Sequence, residues 1–103
     1  MHLIHSEKCG VRRAMMLIGS KWKMVLIGCL KDGMQRYGEL KRSIPDISEK
    51  MLIQELKDLV EAGLVEKTSY PEVPPRVEYR LTEKGQKAIP VWEMVERFGC
   101  DYL

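Results

Sequence analysis

The chain has 103 residues, 45% of them hydrophobic and 31% charged, which fits one ordinary globular domain and excludes both a disordered chain and a two-domain protein. Seventeen Lys and Arg against 15 Asp and Glu leave a formal charge of only +2, so a nucleic-acid partner would require the positive charge to be gathered on one face. Three cysteines form no closed disulfide framework and no common zinc spacing. No apolar run approaches a membrane span, and the first eight residues lack a signal-peptide core. A reducing, cytoplasmic setting is expected.

Val11, Ala14, Met15 and Ile18 fall on one face of a first helix. Gly19-Ser20 ends it, and Ser20 is placed to cap a second helix, in which Trp22, Val25, Leu26 and Cys29 repeat the spacing. That helix should run to about Lys31, before the Asp32-Gly33 turn. Tyr37, Leu40 and Ile44 predict a short third helix closed by Pro45. Ser48 is a good N-cap for a fourth helix, with Glu49 in its first turn, a stripe of Leu52, Leu56 and Leu59 edged by Val60, and Gly63 as the C′ residue.

Beyond Gly63 the period changes. Residues 64–69 read as a strand and residues 70–76 as a proline-stiffened loop. Val77, Tyr79 and Leu81 alternate with Glu78 and Arg80 as a half-buried strand. Thr82 is placed to cap the last helical region, whose buried side is expected at Ile89, Trp92, Val95 and Phe98. Pro90 should kink it or start a new segment near residue 89. The order is mainly helical with a small β-hairpin. A short helix followed by a longer, capped one resembles a helix-turn-helix, and the hairpin after it resembles a wing.

On a helical wheel started at Ser48, the three leucines lie at about 20–80°, whereas Lys57, Lys50 and Gln54 lie at about 180°, 200° and 240°. One face docks on the protein and the other presents two cations and an amide. Lysine can neutralise a phosphate or donate to guanine, and glutamine matches an adenine edge. Ser48 and the free N–H groups of the first turn can hold a backbone phosphate. Gln54 is weighted toward base contact and Lys57 toward either phosphate or base. Four acidic residues, Glu49, Glu55, Asp58 and Glu61, must then be turned aside or paired. Arg76 in the loop, with Lys67 and Arg80 on the strands, could reach a phosphate or the minor groove. Arg36, Lys41 and Arg42 could add backbone clamps. The rival reading is a winged-helix protein-interaction module that does not read DNA. An enzyme is not expected: there is no phosphate-binding glycine loop and no HExxH, and both histidines lie in the first five residues. His2, His5 and Cys9 match no common zinc motif, so neither metal nor cofactor is expected.

From Cys9 to Gly99 the chain resembles the HxlR-type winged-helix regulators, relatives of the MarR-type regulators. The resemblance is carried by Cys9-Gly10-Val11, Ile18-Gly19-Ser20-Lys21-Trp22, Tyr37-Gly38-Glu39-Leu40 and Ile47-Ser48-Glu49-Lys50-Met51-Leu52. Its most specific stretch runs from Gly63-Leu64-Val65 through Tyr70-Pro71-Glu72-Val73-Pro74-Pro75-Arg76-Val77-Glu78-Tyr79 to Leu81-Thr82-Glu83-Lys84-Gly85. It implies a single winged helix-turn-helix domain over residues 1–103, with a three-helical DNA-binding core, a recognition helix at 48–59 and a wing at 64–81. Trp22 would belong to the core of the second helix. It also implies double-stranded operator DNA as partner and a homodimer built by residues 9–18 and 86–100. Val11, Met15, Trp92, Val95 and Phe98 are the interface candidates. Cys9 matches a sensor cysteine of several relatives, which implies an oxidant or electrophile as effector. Many relatives carry proline after that cysteine, where this chain has Gly10. Cys29 is expected in the core, and Cys100 is placed where it could pair across a dimer.

Overall fold

The computed structural model describes residues 8–103. The chain runs α1 (Gly10–Ile18), α2 (Lys23–Leu30), β1 (Gln35–Arg36), α3 (Tyr37–Ser43), α4 (Glu49–Glu61), β2 (Val65–Tyr70), β3 (Arg76–Leu81), α5 (Glu83–Gln86) and α6 (Ile89–Tyr102). It is a mainly helical fold with a helix-turn-helix at α3–α4 and a hairpin wing at β2–β3.

Local chemistry sets most boundaries. The Ser48 hydroxyl accepts from the Met51 N–H at 3.1 Å and caps α4. Gly63, at φ +78°, ends that helix in a Schellman turn: Leu64 N–H reaches the Leu59 carbonyl and Gly63 N–H the Val60 carbonyl, both at 3.0 Å. Thr82 caps α5 by accepting from Gly85 N–H at 3.0 Å, and its hydroxyl donates back to the Gly63 carbonyl. Pro90 sits in the first turn of α6, where its missing N–H costs nothing, so it opens a new helix.

The core gathers one face of each helix from α2 to α4 and one face of the sheet. Leu26, Ile27 and Leu30 of α2 meet Leu40 of α3, Ile44 and Ile47 of the turn, Leu52, Leu56 and Leu59 of α4, and Leu64, Val65, Tyr79 and Leu81 of the sheet. The leucine stripe of α4 is therefore the seam by which this helix docks on the rest of the core.

Four expectations need correction. The buried stripe of α2 is Leu26, Ile27 and Leu30, while Val25 is exposed and Trp22 and Cys29 are half-buried. Trp22, not Ser20, occupies the N-cap, although the Ser20 hydroxyl accepts from Lys23 N–H at 3.1 Å. The hairpin gains a third strand: β1 pairs antiparallel with β3, Gln35 opposite Tyr79 and Arg36 opposite Glu78, giving the order β1-β3-β2. That makes β3 central, so Glu78, expected on a solvated face, is 6% exposed. Its carboxylate is held by Arg80 at 3.3 Å, by the Tyr70 hydroxyl at 3.3 Å and by Arg76 at 3.7 Å. Finally, α6 has no fully buried residue. Only Ile89 and Trp92 of its expected stripe pack on the core, while Val95 and Phe98 are 52% and 59% exposed.

Trp92 ties α6 to α2 through a close approach at Gly28, where a Cβ would stand 2.3 Å from the indole nitrogen. Lys31 adds a cation 5.3 Å from the ring centroid. Gly28→Ala is expected to push the indole off α2 at a cost of about 1–3 kcal/mol, lowering Tm by roughly 5–20 °C. Thermal unfolding followed by circular dichroism checks this; an unchanged Tm would mean that Trp92 does not seat there.

Candidate nucleic-acid interface

Lys50, Gln54 and Lys57 are all exposed on α4, opposite the buried leucines, as the wheel requires. Ile53, at about 140° on the same wheel, lies between the leucine stripe and this polar face and is 57% exposed. The leucine-stripe reading passed over this residue; the signal that finds it is an isoleucine standing out of register with the apolar face, available to a thymine methyl.

The acidic residues of α4 separate into two kinds. Glu55 is 5% exposed. It accepts a short hydrogen bond from the Ser20 hydroxyl and a 3.1 Å ion pair from Lys23. Asp58 lies at the other edge of the same network, 3.4 Å from Lys23, and accepts from Gln54 Nε2 at 2.8 Å. The Gln54 hydrogen bond, with Lys23 close by, holds the Asp58 carboxyl below the usual carboxylate range. Two of the four carboxylates are thus paired with one lysine from α2, which offsets one of their two charges and lessens, without removing, their repulsion of a phosphate backbone. Glu49 and Glu61 remain exposed.

The wing flanks this face. Lys67 and Lys57, with Ile53 and Tyr79, line a cavity of about 400 Å³ between α4 and the sheet. On the other flank, Arg36, Arg42 and Arg76 line a groove of about 660 Å³ shared by α3 and the wing loop. Arg76 is the most constrained of the three. It pairs with Glu72 at 2.9 Å and stacks 4.0 Å from the Tyr70 ring centroid. Its guanidinium is therefore preset, with part of its charge spent inside the wing. Lys41 reaches the Pro45 carbonyl at 3.4 Å and so braces the turn of the helix-turn-helix. Tyr37 also lines the groove. Burial and the nearby Glu49 raise its pKa.

Cys9 is buried at the N-cap of α1, and its carbonyl accepts from Arg13 N–H at 3.0 Å. Val11 and Met15, on the helix that follows, are 62% and 52% exposed. Burial pushes the Cys29 thiol up. Cys100 is exposed, and its thiol donates to Glu96 at 3.1 Å, which raises its pKa. His2 and His5 lie outside the described residues, among which no group of three or more His, Cys, Asp or Glu is placed to hold a metal ion. Among the same residues no helix is long and apolar enough to cross a membrane.

Comparison with known proteins agrees with this architecture. The HxlR-like helix-turn-helix family profile matches residues 17–103. An HTH-type transcriptional regulator of Methanothermobacter thermautotrophicus is 46% identical over 94 residues, covering 91% of this chain and 72% of the relative. The crystal structure of a MarR-family transcriptional regulator from Porphyromonas gingivalis W83 superposes with a TM-score of 0.94 at 49% identity, covering 99% of this chain and all of the other. The redox regulator HypR in its oxidised form superposes with a TM-score of 0.87 at 36% identity, covering 92% and 98% of the two chains. With the capped α4, the exposed Lys50, Gln54 and Lys57 and the flanking wing already in place, the match over most of the chain settles the assignment: it belongs to the HxlR-like helix-turn-helix family of DNA-binding transcriptional regulators, not to an enzyme family.

Proposed function

We propose that the protein binds a two-fold operator as a homodimer. Each α4 enters a major groove, and each wing lies over the adjoining backbone or minor groove. Gln54 reads an adenine edge, Lys50 and Lys57 take guanine or phosphate, and Ser48 with the first-turn N–H groups holds a phosphate. Arg76, Lys67, Arg36, Lys41 and Arg42 clamp the backbone on either side. The observation that carries this reading is the exposed Lys50, Gln54 and Lys57 face on a helix whose opposite face is the core seam.

The dimer is built by residues 9–18 and 86–100. Its support is the exposed apolar side chains Val11, Met15, Val95 and Phe98 on the first and last long helices, together with half-buried Trp92. One domain of this size has no need to leave such side chains in water, and a second copy would cover them. Two recognition helices would then stand roughly 34–36 Å apart, one turn of DNA. Phe98→Glu is expected to convert the dimer to a monomer and to weaken operator binding at least tenfold, read by sedimentation and by gel shift. A Phe98→Glu dimer of undiminished stability would place the interface elsewhere.

Cys9 is the sulfur proposed to meet an oxidant or electrophile. It lies at the start of the helix that contributes to the dimer, and a structural relative is a redox regulator. Because Cys9 is buried, attack requires a small reagent or a local opening of the N-terminus. The test is selection of bound genomic DNA fragments by the purified protein, then footprinting with and without diamide. A two-fold footprint that diamide abolishes in the native protein but not in Cys9→Ser supports both parts. A footprint indifferent to diamide removes the sensor role. No enrichment at low salt would remove the proposed DNA-reading arrangement and favour a protein partner.

A further inference from the structure

Gln54 is one side chain from a chain of contacts that leaves its own helix. Its amide nitrogen donates to Asp58 at 2.8 Å, and Asp58 is held by Lys23 at 3.4 Å. Lys23 is held in turn by buried Glu55 at 3.1 Å, which the Ser20 hydroxyl also engages. Asp58 is therefore anchored to the start of α2 as well as to its own helix. An ordinary surface pair four residues apart would lack that second anchor.

The consequence is chemical. A primary amide has two N–H groups and one carbonyl oxygen. With one N–H engaged by Asp58, a second N–H and the oxygen remain, and that is the donor–acceptor pair an adenine edge takes in one plane. The amide's rotation and its O/N orientation are then set before DNA arrives, so less side-chain freedom is lost on binding. Asp58 also carries a negative charge close to the proposed DNA face. On electrostatic grounds it should weaken binding to any duplex.

We infer that Asp58, fixed by Lys23, is a positioning residue for base readout: it presets the Gln54 amide for adenine and trades general affinity for discrimination. This rests on Gln54 being a base reader, as proposed above. A residue that merely stabilises the helix would shift Tm and weaken every duplex alike. A positioning residue moves affinity and discrimination in opposite directions.

The experiment uses the full chain, the duplex recovered by selection, its single-base-pair variants and an unrelated duplex. Gln54→Ala first identifies the base pair that Gln54 reads, as the position where discrimination disappears. At that position, Asp58→Ala is expected to reduce discrimination at least fivefold, out of the roughly 5- to 150-fold that one bidentate contact supplies. It should leave discrimination at other positions unchanged and bind the unrelated duplex as tightly or more tightly. Asp58→Asn keeps an oxygen acceptor for the amide without the charge, so it should retain discrimination while showing the same gain on the unrelated duplex. The double variant Gln54→Ala/Asp58→Ala should discriminate no worse than Gln54→Ala. The inference is overturned if Asp58→Ala weakens all duplexes evenly, if it leaves discrimination intact, or if Gln54→Ala erases none. If the native protein selects no duplex, the DNA-reading arrangement itself fails and takes this inference with it; a duplex selected normally with unchanged discrimination in Asp58→Ala defeats the inference alone.

Discussion

Replacing Lys50 and Gln54 together with alanine is expected to weaken operator binding at least a hundredfold. Each base or phosphate contact of this kind contributes about 1–3 kcal/mol, and a two-fold complex loses both contacts twice. Binding to unrelated duplexes should fall far less, because only the lysine contributes there, and the salt dependence should flatten by about one counterion per lysine removed. Stability should barely change. Both side chains are exposed, and the Gln54–Asp58 hydrogen bond is a pair within one helix, worth about 0.2–0.5 kcal/mol. Gel shifts on the selected duplex at two salt concentrations, with a Tm measured on the same preparation, check the three expectations together. An operator affinity unchanged in the double variant would show that α4 does not read the groove through this face.

The second large effect lies on the opposite face of the same helix. Leu59 is fully buried, and its carbonyl also accepts from Leu64 N–H in the turn that closes α4. Leu59→Ala leaves a cavity between α4 and the rest of the core that neither the capped helix end nor the sheet can easily collapse into. The expected cost is about 2–5 kcal/mol, a large part of the roughly 5–15 kcal/mol that stabilises a domain. Tm should fall by roughly 10–30 °C. Specific binding at low temperature should survive in whatever fraction stays folded, because the side chains proposed to face DNA are untouched. Chemical denaturation at 25 °C checks the cost; a loss below about 1 kcal/mol would contradict the tight packing of the seam. The two variants thus separate reading from mounting on one thirteen-residue helix.

The arrangement of the acidic residues bears on how a chain of such small net charge can engage DNA. Glu55 and Asp58 are folded into contact with Lys23, and Glu78 is enclosed by Arg76, Arg80 and Tyr70. The exposed cations of α4, by contrast, appear in no ion pair among the described residues. Pairing thus takes Glu55, Asp58 and Glu78 out of direct competition for a phosphate, while Lys50 and Lys57 stay exposed with Glu49 and Glu61 as the uncompensated acids of α4. Arg76 belongs to both groups, since Glu72 and Glu78 share its guanidinium.

What the sequence by itself determined was local. Ser48 and Thr82 announced helix starts because a hydroxyl can satisfy an N–H only three residues away. Gly63 marked a helix end because its backbone there is left-handed, and Pro90 marked a beginning because a first-turn residue needs no N–H. The leucine period of α4 separated its docking face from its exposed polar face without any knowledge of a partner. The tertiary structure alone decided what depends on distant residues. Gln35 and Arg36 form too short a strand to show a period, and they became one only by pairing with residues more than forty positions later. That pairing made β3 central and carried Glu78 inside. Glu55 was legible as a residue to be turned aside or paired, but its burial needed Ser20 and Lys23, more than thirty positions earlier. Val95 and Phe98 carry the spacing of a buried face, yet this subunit seats α6 on the core through Ile89 and Trp92 and leaves Val95 and Phe98 exposed. Periodicity reports that a face is apolar; which surface covers it is decided by the path of the rest of the chain.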